Sequence, residues 1–472
     1  MRTSPEAYNN NGDTVAADPV GREASMSFLL KGTLAVQILA LFPLLLCPLN
    51  AQNWDPGTRA TTAISRGTNE KLKLTFEQRG RYEDRTGNTF GKDVDVFTGL
   101  FRTRLGLAYT PVKWLRFSGM IQDARAPWYG AAAPSTLRDE QDLHEAYIEL
   151  FPSYKKGFGM TAGRMMLNYG EGRLIGTPQW TNVSRTYDHA RMYWRSVKVQ
   201  VELLVISPVK VRLGEFNRPV WGDRMWGTYN VFPNFYKKNL LEAYILRREQ
   251  SRPGGFTAGL SKDGTDKLGI NTFGFRLAGP VSHGVKYSLE AVFQKGKVGA
   301  ADLSADAWFG ALSRRWTIAG KTLDLSAEYK YASGTENPAD AKHSGTFDQL
   351  YASNHDKFGH QDLFGWRNIH NARSLTTLGV TKNFAINFLY DNYWLANLKD
   401  AIYNGSGKPI ARSATGVAGR HVGQETDVYG TYQHGHFTLG AGYGHFFSGQ
   451  FMQKTTPGIG PTYLYVFHTY SL

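Results

Sequence analysis

From about residue 70 onward the chain alternates with period two, and that alternation constrains the fold more than any other feature. In "KLKLTFEQR" (71–79) Leu72, Leu74 and Phe76 fall on one face, with Lys71, Lys73, Thr75, Glu77 and Arg79 on the other. In "FRTRLGLAY" (101–109) Phe101, Leu105, Leu107 and Tyr109 oppose Arg102 and Arg104. The pattern recurs in "LRFSGMIQD" (115–123), "EAYIEL" (145–150), "VKVQVELLV" (197–205), "NTFGFRL" (271–277), "KYSLEAVFQ" (286–294), "LDLSAEYKY" (323–331), "FAINFLYDN" (384–392), "HFTLGAGYGHFF" (436–447) and "YLYVF" (463–467). No window of comparable length carries a helical period.

Alternation alone also suits a soluble sandwich, which buries one face of each strand. Here the polar faces carry charges of both signs. Those are too costly for a sandwich core and natural in a wet lumen. Aromatic residues, 13% of the chain, gather at strand ends as interfacial girdles require. Tight connections such as "TPVKW" (110–114) and "SPVK" (207–210) alternate with long ones. The expected fold is therefore all-β, a transmembrane antiparallel β-barrel of the bacterial outer membrane. At about 9–11 residues per spanning strand, and roughly 23 with its share of loops, the mature chain supplies about 18 strands. The long connections are expected at 124–142, 168–196, 332–374 and 395–423, folding inward or capping the mouth.

The one long apolar run, "LLKGTLAVQILALFPLLLCPLNAQ", follows Met26, carries Lys31 near its start and ends in "LNA" before Gln52. It reads as a signal peptide cut after Ala51, with residues 1–25 an over-called start and 52–472 a single barrel domain. Pro43 and Pro48 argue against a retained membrane anchor. Cys47, the only cysteine, leaves with this segment, and "LLLC" lacks the small residue that precedes a lipidated cysteine. A disulfide-stapled fold and any cysteine metal site are thereby excluded. Three basic and four acidic side chains leave with residues 1–51, which takes the formal charge from +14 to +15. An exported chain this basic is expected to meet nucleic acid, lipopolysaccharide or an acidic polysaccharide. Lipid-facing zigzags speak against nucleic acid.

If the apolar faces meet lipid, the lumen-facing set includes Arg102, Arg104, Arg116, Glu145, Glu149, Lys198, Glu202, Arg276, Lys286, Glu290, Glu328 and Lys330. Fixed positive charge offsets the hydration that a permeating anion loses. Guanidinium groups bind carboxylates bidentately, so an arginine lining suits uronic acids better than chloride. The competing reading is that these arginines and glutamates pair with one another across strands.

The densest cationic and aromatic segment is "QWTNVSRTYDHARMYWR" (179–195), with three arginines, two tryptophans and two tyrosines. It lies within "GRMMLNYGEGRLIGTPQWTNVSRTYDHARMYWR" (163–195), which resembles the alginate-export family of outer-membrane barrels. The family pattern "GRQxLNYGxGRLIGxxxWxNxxRxFDxxR" is met by Gly163, Arg164, Leu167, Asn168, Tyr169, Gly170, Gly172, Arg173, Leu174, Trp180, Asn182, Arg185, Asp188 and Arg191. Further resemblance runs in matching order through "DLHEAYIEL" (142–150), "TFGFRLAG" (272–279), "YSLEAVFQKG" (287–296), "TFDQLYASNHDKFGHQDLFGWRNI" (346–369), "VGQETDVYGTY" (422–432) and "GYGHFFSGQF" (442–451). Met165 stands where the family has glutamine, and the chain ends "YSL" where barrels usually end in an aromatic residue.

The resemblance implies a monomeric barrel whose arginine-lined constriction passes a polyuronate outward. It implies that Arg164, Arg173, Arg185 and Arg191 form positive walls, held by Asn168, Asp188 and Glu145. Trp180, Tyr169 and Tyr187 either stack on sugars or pack the inward loop. Replacing Arg164 and Arg185 together by alanine is then expected to lower anion preference. Expected partners are outer-membrane lipid and lipopolysaccharide, an anionic polysaccharide or oligosaccharide, and periplasmic synthesis machinery.

An uptake porin for small anions or oligosaccharides is the alternative. A barrel enzyme acting on lipid or polysaccharide, or a soluble lectin-like β protein, belongs to a different class. No H-E-x-x-H or G-x-S-x-G occurs, and "YNGSGKP" (403–409) departs from a P-loop because proline follows Lys408. His434 and His436 share a face, and His343, His355, His360 and His370 fall close together. They could bind a metal weakly, but without ligand spacing or cysteine no metal is expected there. No cofactor is expected.

Overall fold

The computed structural model describes residues 65, 67–68, 70–91, 95–129, 133–152, 156–251, 261, 263–355 and 357–472. The signal segment expected at 1–51 lies outside the described residues. The alternating segments become eighteen long strands. They are β1 (Leu72–Thr86), β2 (Val96–Val112), β3 (Leu115–Arg125), β4 (Asp139–Leu150), β5 (Gly157–Met165), β6 (Tyr187–Arg195), β7 (Gln200–Lys210), β8 (Asp223–Tyr236) and β9 (Asn239–Gln250). Then follow β10 (Leu268–Pro280), β11 (Val285–Val298), β12 (Ala301–Ile318), β13 (Lys321–Ala332), β14 (Ile369–Gly379), β15 (Phe384–Leu395), β16 (His421–His434), β17 (Phe437–Ser448) and β18 (Thr462–Ser471).

Each strand pairs antiparallel with its neighbours in sequence, and β18 returns to β1 from Glu77↔Ser471 to Thr86↔Thr462. The sheet is a closed barrel, which leaves no edge to satisfy in hydrocarbon. Side chains alternate as the sequence predicts. On β2, Leu105, Leu107 and Tyr109 are 48%, 46% and 44% exposed on the outer wall, whereas Arg102 and Arg104 are 3% and 4% exposed inside.

The two ends of the barrel differ. At one end the connections are short: 113–114, 196–199, 237–238, 281–284, 319–320, 380–383 and 435–436. In two of the two-residue turns both central residues have positive φ, Lys237 (43°) with Lys238 (70°) and Ala319 (49°) with Gly320 (75°), which matches the right-handed strand twist. At the other end lie the long connections, 126–138, 166–186, 333–368 and 396–420 among them. Aromatic side chains mark the lipid-facing wall near both ends: Trp114, Phe151, Phe158 and Trp194 towards the short turns, Trp128, Phe293 and Trp308 towards the long loops.

Four expectations are corrected. "SPVK" (207–210) is the end of β7 and not a turn, and the turn lies at 196–199. Lys198 therefore sits exposed in that turn, outside the lumen-facing set. The connection expected at 168–196 ends at residue 186, because Tyr187–Arg195 forms β6. Lys286 keeps the inward parity of β11 but is exposed at its short-turn end.

The lumen is also less wet than expected. Phe347, Leu350, Tyr351, Phe364, Trp366, Ile402 and Phe451, from the long-loop end, pack with inward strand residues such as Tyr229, Ile270, Tyr393 and Phe446 as one apolar core. The chain thus buries a core inside its own barrel, built from loops that turn inward.

Candidate functional site

The inward loop 166–186 starts at a strand junction that only glycine fits. Gly163 has φ +127°, and a Cβ there would lie 2.3 Å from the Ala146 carbonyl oxygen and 2.7 Å from Tyr147 Cα. The loop then winds on itself. Asn168 accepts from the Thr177 amide through Oδ1 (2.8 Å), and the Tyr169 amide donates to the Ile175 carbonyl (3.1 Å). Glu145 accepts from the Met166 amide (2.8 Å).

At its tip the loop meets the connection 333–368. Ile175 and Tyr351 form a parallel β-bridge, the Gly176 amide donates to the Tyr351 carbonyl (3.0 Å), and the Tyr351 amide to the Leu174 carbonyl (2.8 Å). Arg185 locks this junction. Its Nη1 donates to the carbonyls of Gly176 (3.2 Å), Tyr351 (2.5 Å) and Ala352 (3.0 Å).

The returning half of the loop is held by four arginines that alternation places on the inner face of β1 and β2. Arg79 donates to the carbonyls of Gln179 (2.8 Å) and Thr181 (2.9 Å), and Arg81 to that of Trp180. Arg102 reaches the carbonyls of Gln179 (3.2 Å) and Thr181 (3.1 Å) while its Nε pairs with Glu77 (2.7 Å). Arg104 donates to Gln122 Oε1 (2.8 Å), Gln179 Oε1 (3.0 Å) and Ser184 Oγ (2.5 Å). Asn182 shares its amide donors among the carbonyls of Phe101 (3.0 Å), Arg125 (3.1 Å) and Leu137 (3.0 Å). Trp180 lies 4.1 Å below Arg81 Cζ, stacks on His355 at 4.8 Å and donates to Tyr463 Oη (3.2 Å).

A second network lies beside the first. Arg164 forms a bidentate pair with Asp188 (2.7 and 3.1 Å) and approaches Asp142 at 4.0 Å. Arg191 faces Glu202 at 3.6 Å, and Glu202 accepts from the Tyr169 hydroxyl. Burial first, then the Glu202 charge, pushes the Tyr169 phenol up. Glu171 is shared by Arg173 (3.0 Å), Arg276 (3.1 Å) and Ser288 (2.8 Å). Burial works against its charge, but Arg173, the Ser288 hydroxyl and Arg276 together hold its carboxyl below the ordinary value. The Arg173 guanidinium lies 3.4 Å from the Phe309 ring centroid.

The thirteen residues singled out in the sequence therefore divide. Arg102, Arg104, Trp180 and Asn182 meet along the seam between loop and wall. Asn168 and Arg185 hold the loop to itself and to its partner loop, and Glu145 anchors its start. Arg164 with Asp188, and Arg191 with Tyr169, line the adjoining wall, while Arg173 joins the Glu171 cluster. Arg116 lies apart, paired with Glu149 near the short turns. Arg81 was missed, although the alternation that marks Arg79 continues to it. The histidines bond to different partners, His343 to Asp340, His355 to Asp362, His360 to Tyr465 and His370 to Tyr329, although the rings of His355 and His360 lie 4.7 Å apart beside Trp180. Among the described residues no three of His, Cys, Asp or Glu come together as a metal-binding group.

Several solved outer-membrane barrels share this architecture. OpdK of Pseudomonas aeruginosa, at 10% identity, covers 85% of this chain and 99% of its own with a TM-score of 0.56. Its structure with vanillate gives 0.57 at the same identity and coverage. OccAB4 of Acinetobacter baumannii, also 10% identical, covers 85% of this chain and 98% of its own with a TM-score of 0.53. At such identities the likeness is one of fold. No curated protein sequence matches. The model of the alginate export family matches residues 71–464, nearly all of the described barrel. The chain belongs to the alginate export family of outer-membrane β-barrel channels.

Proposed function

We propose that the channel passes acidic saccharide outward, as polyuronate chains of the alginate type. The observation that carries this reading is the set of partners chosen by Arg79, Arg81, Arg102 and Arg104. Among the described residues these four cations form ion pairs with two carboxylates, Glu77 and Glu83, and otherwise bond neutral backbone and side-chain atoms. A carbonyl accepts a hydrogen bond without cancelling charge. The seam therefore keeps positive potential, and a uronate carboxylate is the better acceptor for each guanidinium. Weak, repeated sites of this kind allow entry and release.

The chain acts as a monomer and takes polymer from a periplasmic synthesis machine, and no bond-making step is assigned to it. Reversal potential in a planar bilayer under a salt gradient tests the reading, followed by block with added polyuronate. Anion preference with polyuronate block is the expected result. Cation preference or a silent barrel overturns it, and a hydrolysis assay on lipid and polysaccharide then becomes the next experiment.

Uptake of small carboxylates is the second reading, favoured by the apolar core and the Ile175–Tyr351 bridge that fill the lumen. OpdK, a barrel of similar architecture, has been solved with vanillate. Anion preference without polyuronate block, together with faster entry of monomeric carboxylates in a liposome swelling assay, distinguishes it.

A further inference from the structure

A second polar cavity lies away from the seam, at the long-loop end of the barrel. Ser261, Ile270 and Val298 wall one side, residues 335–367 of one inward loop the second, and Asp400, Tyr403, Pro409 and Arg412 of the 396–420 connection the third. Its volume is about 250 Å³. That is just below the range of about 300–1,000 Å³ for small-molecule sites, so it suits one ring-sized ligand better than a chain.

The donors and acceptors around it are unequally used. Asp400 is saturated: Oδ1 accepts from the Ala401 amide (2.7 Å) and Tyr403 hydroxyl (2.8 Å), with Arg412 Nη2 at 3.4 Å, and Oδ2 from the Thr335 amide (2.9 Å) and Thr346 hydroxyl (2.6 Å). Asp348 is used nearly as fully, by Arg367 (2.5 Å) and the Leu350 amide (3.0 Å) on Oδ1 and by Arg248 (2.8 Å) on Oδ2. Asp400 thus has no acceptor site left for a ligand hydroxyl, and Asp348 keeps one, on the Oδ2 that its partner Arg248 already holds.

The cationic side is open. Arg367 lines the cavity at 1% exposure, yet its Nε has no hydrogen-bond partner among the described residues. A buried guanidinium donor left without an acceptor is costly, and a ligand oxygen removes that cost. Arg412, with its side chain 47% exposed, reaches the same patch, since both it and Tyr403 bond Asp400 Oδ1. Arg367 Cζ lies 5.9 Å from the Tyr403 ring centroid, while Arg412 meets the hydroxyl end of the same residue through the acceptor they share, Asp400 Oδ1.

We infer that this cavity is a binding site for a single carboxylate-bearing sugar ring, with Arg367 and Arg412 taking the carboxylate and Tyr403 supplying the wall against which the ring lies. Arg248, Arg367 and Arg412 are balanced in charge by Asp223, Asp348 and Asp400. Recognition rests on unspent donors and not on net charge, which makes the binding weak and exchangeable. The site shares with the proposed function only the class of ligand, and its residues are separate from the seam.

The test is isothermal titration of the purified full-length chain in detergent with monomeric glucuronate, glucose and acetate, on the wild type and on Arg412→Ala and Arg367→Gln. Glucuronate is expected to bind more tightly than glucose or acetate, and each substitution is expected to weaken it at least tenfold. Arg367→Gln carries a folding risk, checked by heat-modifiable mobility. Arg412→Ala lies at the rim and keeps the test decisive alone. Undetectable glucuronate binding, or binding unchanged in Arg412→Ala, overturns the site. Glucose binding as well as glucuronate overturns carboxylate recognition, and acetate doing so overturns the sugar ring. Bilayer anion preference measured on the same variants is expected to stay at the wild-type value, so failure of the pocket and failure of the export reading are separately visible.

Discussion

Arg81 holds Trp180 in two ways at once, donating to its carbonyl oxygen and lying 4.1 Å over its indole ring. Both contacts run from the barrel wall to the returning half of the loop, beside those that Arg79 and Arg102 make to the carbonyls of Gln179 and Thr181. Loss of a charged hydrogen bond removes about 1.5–3 kcal/mol, and loss of a desolvated cation–π contact about 2 more. Arg81→Ala is therefore expected to release the 179–181 segment and raise single-channel conductance, with Arg81→Lys intermediate. Unchanged conductance in both variants would show that the loop is held without this residue.

The bridge between Ile175 and Tyr351 is suited to a reversible lock. The described residues contain no cysteine, so Ile175→Cys with Tyr351→Cys introduces an isolated pair at bridge partners. Under oxidation the pair is expected to form a disulfide that leaves chloride conductance in place and abolishes polyuronate block, with reductant restoring it. Block that persists in the oxidised channel would mean that the polymer passes without parting the loops.

Gly163→Ala is expected to destabilise the barrel by at least about 1–3 kcal/mol, since a positive-φ backbone and a cross-strand clash act together. Gly119→Ala is the control, because a Cβ there meets nothing closer than the Glu145 carbonyl oxygen at 3.7 Å. Thermal unfolding followed by heat-modifiable mobility compares the two, and equal midpoints would remove the steric account.

Acid sensitivity follows from Glu171, which lies in the loop outside the spanning strands. Its carboxyl is held below the ordinary value of 4.5, so its contribution is present above that value and is lost as pH falls through the lowered one. Asp348 is shifted in the same direction, its burial outweighed by Arg248 and Arg367. Glu171→Gln keeps the Asp348 effect and removes its own. The variant is expected to have a lower midpoint than the wild type at neutral pH and a shallower fall between about pH 5 and pH 3. Parallel falls would assign the acid loss elsewhere.

The two faces of each strand were legible in the sequence because alternation is a local property, and Arg102 and Arg104 were placed inside on parity alone. Their partners were not legible. The carbonyls of Gln179 and Thr181 lie 77 and 79 residues beyond Arg102, and a carbonyl oxygen has no residue signature. The stretch "SPVK" (207–210) reads as a tight connection, and it contains Pro208, which cannot donate to a ladder. In the structure β7 pairs with β8 only over Gln200–Ile206, so Pro208 lies beyond that ladder and loses nothing on this side. The inner core was hidden for a related reason. Phe347, Phe364 and Trp366 belong to a connection with no period, and only closure of the barrel around them makes that connection an interior.

The pairing of β1 with β18 also orders the assembly in time. The Tyr463 hydroxyl donates to Glu83 across 380 residues of sequence, so the first strand holds one side unsatisfied until the last has been delivered. Until then two adhesive margins stand open, and any chain stalled short of residue 462 presents both to its neighbours. Completion is thus all or nothing: the final hairpin is the clasp that turns an aggregation-prone ribbon into a stable membrane protein.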